Sequence, residues 1–240
     1  MNKTSPKNHA GPSRLLRWSL FFLGFALIPV NAGFLRFLFV VAGDFRSQAT
    51  PVLSLSAPVG SFIIGAILFT VFFLAFQIPP RFYIWTHELT HAFFGLLAGA
   101  KVSHFKIADE SGSVRVSETT LLGLLAPYFF PIPAILFLIF VAVLSCFFPV
   151  VNTSLGSFLA GVFGFFWAFH GCYTLNAILQ YQSDLDTFGP FFSTLFLLAL
   201  NLLLLCIALA AFSPIGFSAF WKELFLAQGD IFVFLWNHLY

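Results

Sequence analysis

Two histidines and a glutamate lie close together in the apolar stretch FYIWTHELTHAFFGLLAG, residues 82–99. They are His87, Glu88 and His91, in the pattern H-E-x-x-H. On a helix, residues four apart lie on the same face, so the two imidazoles can bind one metal ion. Glu88 lies about 100° round the helix, where it can accept a proton from water at the metal. Zinc is the favoured ion, because a catalytic zinc site uses three protein ligands and keeps one position for water.

The composition of the chain is that of a protein in lipid. Of its 240 residues, 60% are hydrophobic and only 8% are charged, whereas soluble domains have about 25% charged residues. One soluble core of this length cannot bury so much apolar surface, so the lipid bilayer is the expected surrounding. The net charge of +2 is too small to indicate nucleic acid as a partner. The three cysteines lie singly in apolar runs and are expected to be small core residues: Cys146, Cys172 and Cys206.

The membrane setting bears on how the H-E-x-x-H motif is interpreted. The alternative to a metal site is a pair of buried histidines that only form hydrogen bonds to neighbouring helices. An ionisable side chain inside a membrane is costly, and such residues commonly have a function. Three of them in one short apolar segment therefore favour metal binding over a purely structural role.

Long apolar runs predict an all-α polytopic membrane protein with about six membrane helices, since a span needs about 20 residues. We expect residues 15–240 to form one integral-membrane domain with residues 82–190 as its core. The last segment, 215–240, contains charged residues and tryptophans and is expected to be an interfacial or partly inserted helix. The six runs cover residues 16–42, 57–78, 82–99, 121–148, 154–181 and 188–212.

The N-terminal residues 1–14 are polar and are predicted to be a disordered tail. A basic start followed by an apolar run also resembles a signal peptide that ends at residues 30–32. Cleavage there would leave the apolar terminus GFLRFLFVV, so an uncleaved span is favoured. The positive-inside rule predicts a cytoplasmic N-terminus, because four basic residues precede or begin the first run: Lys3, Lys7, Arg14 and Arg17.

One polar segment interrupts the apolar pattern, KVSHFKIADESGSVRVSETT at residues 101–120. The parts KVSHFKI and SVRVS alternate with a period of two, and ADESG between them has the composition of a turn. The pattern predicts a small β-hairpin between the H-E-x-x-H helix and the next span. An ordinary polar loop is the alternative.

A third metal ligand has to come from few remaining polar residues. Asp184 and Asp186 lie in QYQSDLDTFGP, residues 180–190, between two apolar runs. If the preceding helix continues, Asp184 lies on one stripe with His170, and Asp186 lies off it. Asp184 is therefore the predicted third ligand. The stripe has steps of four and three and consists of His170, Thr174, Ala177, Tyr181 and Asp184.

Other roles stay open for these residues. Acids at a membrane edge are often only solvated, and Asp186 is the alternative carboxylate ligand. His170 is a candidate to support a ligand, to contact a substrate or to replace Asp184 at the metal. A lone histidine is more often a core residue whose ring bonds to a backbone carbonyl.

If every apolar run crosses the membrane once, the motif helix and Asp184 come to opposite faces. The two can then meet only at mid-depth, or if one run is re-entrant. The run 121–148 is long and can be broken by its prolines, which would change the number of crossings. These are Pro127, Pro131 and Pro133.

The order HELTHAFFGLLAGAKV, a polar hairpin, LLAPYFFPIP and a later aspartate resembles the site-2 protease family of intramembrane zinc metallopeptidases. The likeness covers about residues 82–190, and QSDLD stands where the better-known members have an Asn-Pro-Asp-Gly-like turn. It implies a zinc protease of the bacterial cytoplasmic membrane without an inserted peptide-binding domain. In such an enzyme Glu88 is the general base, and the substrate is a membrane-spanning protein. Residues 101–117 could then capture the unwound substrate as an added strand.

Two classes of membrane protein other than proteases are the alternatives. Membrane di-iron oxidases need several histidine clusters, whereas six histidines with one pair four residues apart supply a single cluster. A non-catalytic membrane scaffold, or a metal-binding or transport protein, is the remaining alternative. The presence of Glu88 favours an enzyme over an inactive relative.

Overall fold

Nine α-helices and one two-stranded hairpin form the part of the chain that the computed structural model describes. The helices are α1 Arg14–Ser47, α2 Ala57–Ala75, α3 Arg81–Leu97, α4 Leu121–Leu125, α5 Ile132–Ser145, α6 Ser154–Leu179, α7 Ser183–Thr187, α8 Pro190–Phe212 and α9 Gly216–Leu239. The strands are β1 Val102–Ile107 and β2 Gly112–Val116. The described residues are 12–47, 57–76, 81–108, 112–117, 120–150, 153–180, 182–212 and 216–239. Most of the tail predicted to be disordered, residues 1–11, lies outside them.

Four of the described helices are long and apolar enough to cross a membrane. A fifth crossing is possible if α4 and α5 are taken together as one bent span. α3, with 17 residues, is shorter than the usual span of about 20 residues. The mostly helical fold agrees with the predicted membrane protein, while the number of six membrane helices stays a prediction. The four segments are Arg14–Leu38, Ala57–Ala75, Ser154–Leu179 and Pro190–Ala208.

The long apolar run after the hairpin is broken where its prolines lie. Leu121–Tyr128 and Ile132–Ser145 meet at an angle of 79°, with a 3-10 turn at Ala126–Tyr128 between α4 and α5. Proline removes a backbone donor and disfavours a helical residue before it, so a straight helix cannot continue through this segment. The prediction that the prolines break this run is confirmed. The run has the form of a broken span or a re-entrant loop, and only a re-entrant loop would resolve the conflict over the number of crossings.

The polar segment forms the predicted β-hairpin. β1 and β2 are antiparallel, with Val102 opposite Val116, and a register shift lies between Ser103 and Lys106. β2 alternates between half-buried and exposed residues as the period-two pattern indicated, whereas the four inner residues of β1 are all exposed. The turn residues 109–111 lie outside the described residues. The hairpin packs on α3, because a Cβ at Gly95 would come within 2.6 Å of the Val116 side chain. β2 therefore lies along the helix that carries H-E-x-x-H.

α2 and α6 pack through glycines that bring their backbones together. A Cβ at Gly65 would collide with the carbonyl oxygen of Gly161, and a Cβ at Gly164 would collide with that of Phe62. In lipid there is little hydrophobic drive between helices, so small residues that allow close packing carry much of the association. This pair fixes α6, which presents His170 towards α3 and leads into α7.

We expect Gly164→Ala to destabilise the protein by about 1–3 kcal/mol, the usual cost of overpacking. The added methyl group would force α2 and α6 apart at the Phe62 carbonyl. Gly171→Ala on the same helix is the matched control, because nothing lies within 4 Å of its Cβ position. Thermal unfolding of both variants in detergent measures the difference. Equal midpoints for the two would contradict this account of the helix pair.

Polar contacts hold α1 against α8 and α9. Asn31 Nδ2 donates to a backbone carbonyl of α8 at 3.1 Å, and Gln228 Nε2 of α9 donates to a carbonyl of α1 at 3.1 Å. Arg36 of α1 and Asp230 of α9 form an ion pair at 2.6 Å. These contacts tie both ends of the described chain to α8, the helix that directly follows α7.

The cysteines follow the prediction of core positions only in part. Cys206 on α8 is fully buried and Cys172 on α6 is half-buried. Cys146 is exposed, so the prediction is wrong for this residue. It lies directly after α5, where the helix ends and the neighbouring phenylalanines are exposed as well.

Candidate metal centre

α3 presents both motif histidines on one face. The ring centroids of His87 and His91 are 4.8 Å apart, and the rings meet edge to face. Thr86 and Thr90 lie on the same helix and are buried, and their hydroxyls donate to backbone carbonyls one turn earlier. These threonines need no further partner, whereas the motif histidines direct ring nitrogens at neighbouring segments.

Asp184 on α7 comes to the same point. Its Oδ2 atom is 3.5 Å from His91 Nε2 and 3.9 Å from His87 Nε2. Ligand atoms of the three residues lie within 4.8 Å of one another. Tetrahedral zinc with bonds of 2.0–2.2 Å requires ligand atoms about 3.4 Å apart. Two imidazoles and one carboxylate at these separations therefore fit a zinc ion with small adjustments.

The helical argument that selected Asp184 was only partly correct. α6 ends at Leu179, the backbone of Gln180 is extended, and Asp184 lies in the separate helix α7. Tyr181, which the predicted stripe includes, lies outside the described residues. The continuous stripe from His170 to Asp184 is thus wrong, because the chain leaves the helix before it reaches the aspartate.

Asp186 and His170 lie apart from the ligand group in the described part of the chain. Asp186 is on α7 two residues after Asp184, so it points about 200° away round that short helix. His170 is buried on α6, and its role is taken up below. The group that the structure brings together is therefore His87, His91 and Asp184.

A backbone carbonyl orients His91. The Nδ1 atom of His91 lies 2.8 Å from the Gly123 carbonyl oxygen, so Nδ1–H donates and Nε2 is the ring nitrogen directed at Asp184. Metal-binding histidines usually donate their other N–H in this way, which sets the tautomer. Gly123 is itself held at the start of α4, where its N–H donates to the Thr120 hydroxyl at 3.0 Å.

Tyr128 holds Asp184 from the proline-broken turn. Its hydroxyl donates to Asp184 Oδ2 at 3.0 Å and also lies 3.3 Å from Gln182 Oε1. Tyr128 is fully buried, and its carbonyl accepts from Asn201 Nδ2 of α8 at 3.0 Å. Sequence reasoning missed this tyrosine. The sequence feature that could have identified Tyr128 is a lone hydroxyl in an apolar run between prolines, APYFFPIP.

The charge state of Asp184 suits a metal ligand. Burial raises the pKa of this carboxyl, but the hydrogen bond and the charge of His91, with the Tyr128 hydroxyl, outweigh burial and hold the pKa below its usual range. A carboxyl group must be deprotonated to bind a metal. The polar contacts of Asp184 therefore favour the ionised form that a metal ligand needs.

Glu88 lies beside the ligand group, under the hairpin. The backbone N–H of Val114 in β2 lies near its carboxylate and interacts with it. Gly112 lies directly over it, because a Cβ at this position would be 2.6 Å from Glu88 Cγ and from Ile84 Cγ2. Gly112 and Val114 escaped the sequence analysis, since only a tertiary contact brings β2 over the glutamate.

Fold and site together define a mostly helical protein with four or five apolar helices long enough to cross a membrane, and with a His-His-Asp group able to hold a metal ion. No protein-family model, curated protein or solved structure matches this chain. The likeness to the site-2 protease family therefore stays a prediction from the motif.

Proposed function

We propose that the protein is an intramembrane zinc metalloprotease that hydrolyses peptide bonds of membrane-embedded proteins. The observation that carries this proposal is the approach of His87, His91 and Asp184 to one point, with Glu88 beside them. A site that only stored or transported metal has no need of a carboxylate next to the ligands. Glu88 lies there under the hairpin, with Gly112 over its side chain and the backbone N–H of Val114 near its carboxylate.

Catalysis divides between the metal and the side chains around it. When bound, zinc lowers the pKa of a water molecule and polarises the carbonyl of the bond to be cleaved. Glu88 accepts the proton of the attacking water and passes it to the leaving amine. The Val114 N–H aims the Glu88 carboxylate, while Gly123 and Tyr128 hold His91 and Asp184 in their ligand orientations.

The hairpin offers a way to bind the substrate. A helical substrate hides its backbone carbonyls in its own hydrogen bonds, so it has to unwind before hydrolysis. The backbone N–H of Val114 lies near the Glu88 carboxylate, so in this proposal the edge of β2 that carries it is the one that faces the metal centre. A substrate strand that pairs along this edge would run past Glu88 and expose its carbonyls to the centre.

In this proposal the chain lies in the bacterial cytoplasmic membrane with its N-terminus in the cytoplasm. About six segments enter the membrane, where α3 and the bent α4–α5 unit join the four longer helices. A re-entrant arrangement of α4 and α5 brings Tyr128 to the depth of the motif. Water for hydrolysis then has to reach a site surrounded by apolar helices.

Elemental analysis of the purified protein tests the metal. We expect about one zinc per chain in wild-type protein and almost none in a His87→Ala/His91→Ala double variant, because a single aspartate cannot retain the ion. His238→Ala is the matched control, since His238 is exposed on α9 and bonds to a backbone carbonyl. Folded wild-type protein without zinc, or a double variant with unchanged zinc, would refute the metal site.

A further inference from the structure

Four buried polar atoms beside the metal centre have no hydrogen-bond partner among the described residues. They are Tyr83 Oη and His87 Nδ1 of α3, and His170 Nε2 and Thr174 Oγ1 of α6. Elsewhere in the described chain, Asn31 Oδ1 is the one other buried side-chain atom in this condition. Buried polar atoms nearly always have a partner, so four of them at one place point to a ligand that they share.

These four atoms lie between two facing helix surfaces. Tyr83 and His87 are one turn apart on α3, and His170 and Thr174 are one turn apart on α6. The Tyr83 ring stacks on Tyr173 of α6 at 5.0 Å and lies 5.7 Å from the His87 ring. The Tyr83 and Thr174 hydroxyls interact, as do the His87 and His170 rings, but neither pair reaches hydrogen-bond geometry.

Burial and chemistry narrow the choice of ligand. Tyr83, His170 and Thr174 are 8%, 7% and 5% exposed, so neither lipid nor bulk water reaches them freely. An unpaired buried polar group costs about 1–3 kcal/mol. Four such groups together would cost more free energy than the fold can tolerate, so a ligand is expected to pair with them. Two hydroxyls and two imidazole nitrogens supply both donors and acceptors, as a buried water with two to four partners requires. Only two of the four atoms, the imidazole nitrogens, are common zinc ligands, fewer than the three protein ligands of a zinc site, which argues against a second metal ion.

The two motif histidines differ in how they are supported. His91 donates its Nδ1–H to the Gly123 carbonyl, whereas no described residue accepts from His87 Nδ1. If His87 binds zinc through Nε2, its Nδ1 carries a proton that needs an acceptor. His170 and Thr174 are the polar groups on the facing helix, yet too distant to accept directly.

We propose that His170, Thr174 and Tyr83 hold at least one buried water that accepts the Nδ1–H of His87. His170 is then a positioning residue: through the water it sets the tautomer and ring orientation of His87. The inference rests on the proposed function, in that His87 is taken as a zinc ligand. It gives the buried histidine of α6 a role other than direct ligation.

Zinc affinity, measured by chelator competition, tests the water site without an activity assay. His170→Phe should lower the affinity about 10- to 100-fold, the usual effect of removing support for a metal-binding histidine. His170→Gln, whose amide can still bind water, should restore most of it. Thr174→Val should weaken binding several-fold, while the matched control Thr174→Ser keeps the hydroxyl and should bind as wild type does.

The outcomes separate this inference from the proposed function. Zinc binding that depends on His87 but is unchanged in His170→Phe and Thr174→Val would overturn the water site alone. Wild-type protein that binds no zinc would overturn the proposed function, and with it this role of the water. Because Thr174→Val is nearly isosteric, loss of binding there with normal thermal unfolding supports the water site even if His170→Phe misfolds.

Discussion

Glu88→Gln should keep the fold and the zinc but lose at least about 100-fold in proteolysis, the usual size of a general acid–base contribution. Glutamine has the shape of glutamate, and its amide oxygen can take the place of the carboxylate oxygen near the Val114 N–H. It cannot accept a proton from water. Glu88 also lies outside the group of ligand atoms, so its neutralisation should leave the metal in place.

Cleavage of a single-span reporter protein with a tag at each end, in detergent, measures the effect. Zinc content is determined on the same preparations. Glu223→Gln on α9 is the matched control and should cleave the reporter as the wild type does. A Glu88→Gln protein that cleaves at the wild-type rate would refute the role of general base, and one that loses its zinc would make Glu88 a ligand.

Asp184→Ala should lower zinc affinity by more than about 100-fold, whereas Asp186→Ala on the same short helix should change it little. Removal of Asp184 leaves two imidazoles where a zinc site needs three protein ligands. Tyr128→Phe should fall between them, about 10- to 100-fold weaker, because it removes the hydrogen bond to Asp184 Oδ2 without removing a ligand. Proteolysis should follow the same order.

Chelator competition on the three variants gives the order of affinities directly. Thermal unfolding of the metal-free proteins shows whether each has kept its fold. If Asp186→Ala loses zinc and Asp184→Ala retains it, the wrong carboxylate has been assigned. Equal loss in all three variants would instead indicate that α7 as a whole is disturbed, and would remove the distinction that the geometry predicts.

Local periodicity was enough to predict several elements. The spacing of His87 and His91 placed both rings on one helical face, and the period-two pattern of residues 101–117 predicted the hairpin. Both depend only on how a backbone repeats over a few residues. The prolines of residues 121–148 predicted a break because proline lacks the backbone N–H that a continuous helix needs, although the angle of 79° needed the structure.

Asp184 illustrates the limit of such reasoning. A helical stripe from His170 selected it, yet α6 ends at Leu179 and Asp184 belongs to α7. The side chain reaches the histidines because the chain leaves α6 at Leu179 before the short helix α7 begins, and because Tyr128 from another segment binds it. A pattern within one helix contains no information about that contact.

By itself the sequence determined the chemistry available: two imidazoles, one adjacent carboxylate, a lipid-compatible composition and few other acids. Tertiary structure alone decided which groups meet. It brought Gly123 to His91, Tyr128 to Asp184, and β2 to Glu88, each across many residues of chain. The physical reason is that residue type and short-range spacing set local conformation, whereas a contact between distant segments depends on how whole helices pack and where prolines turn them.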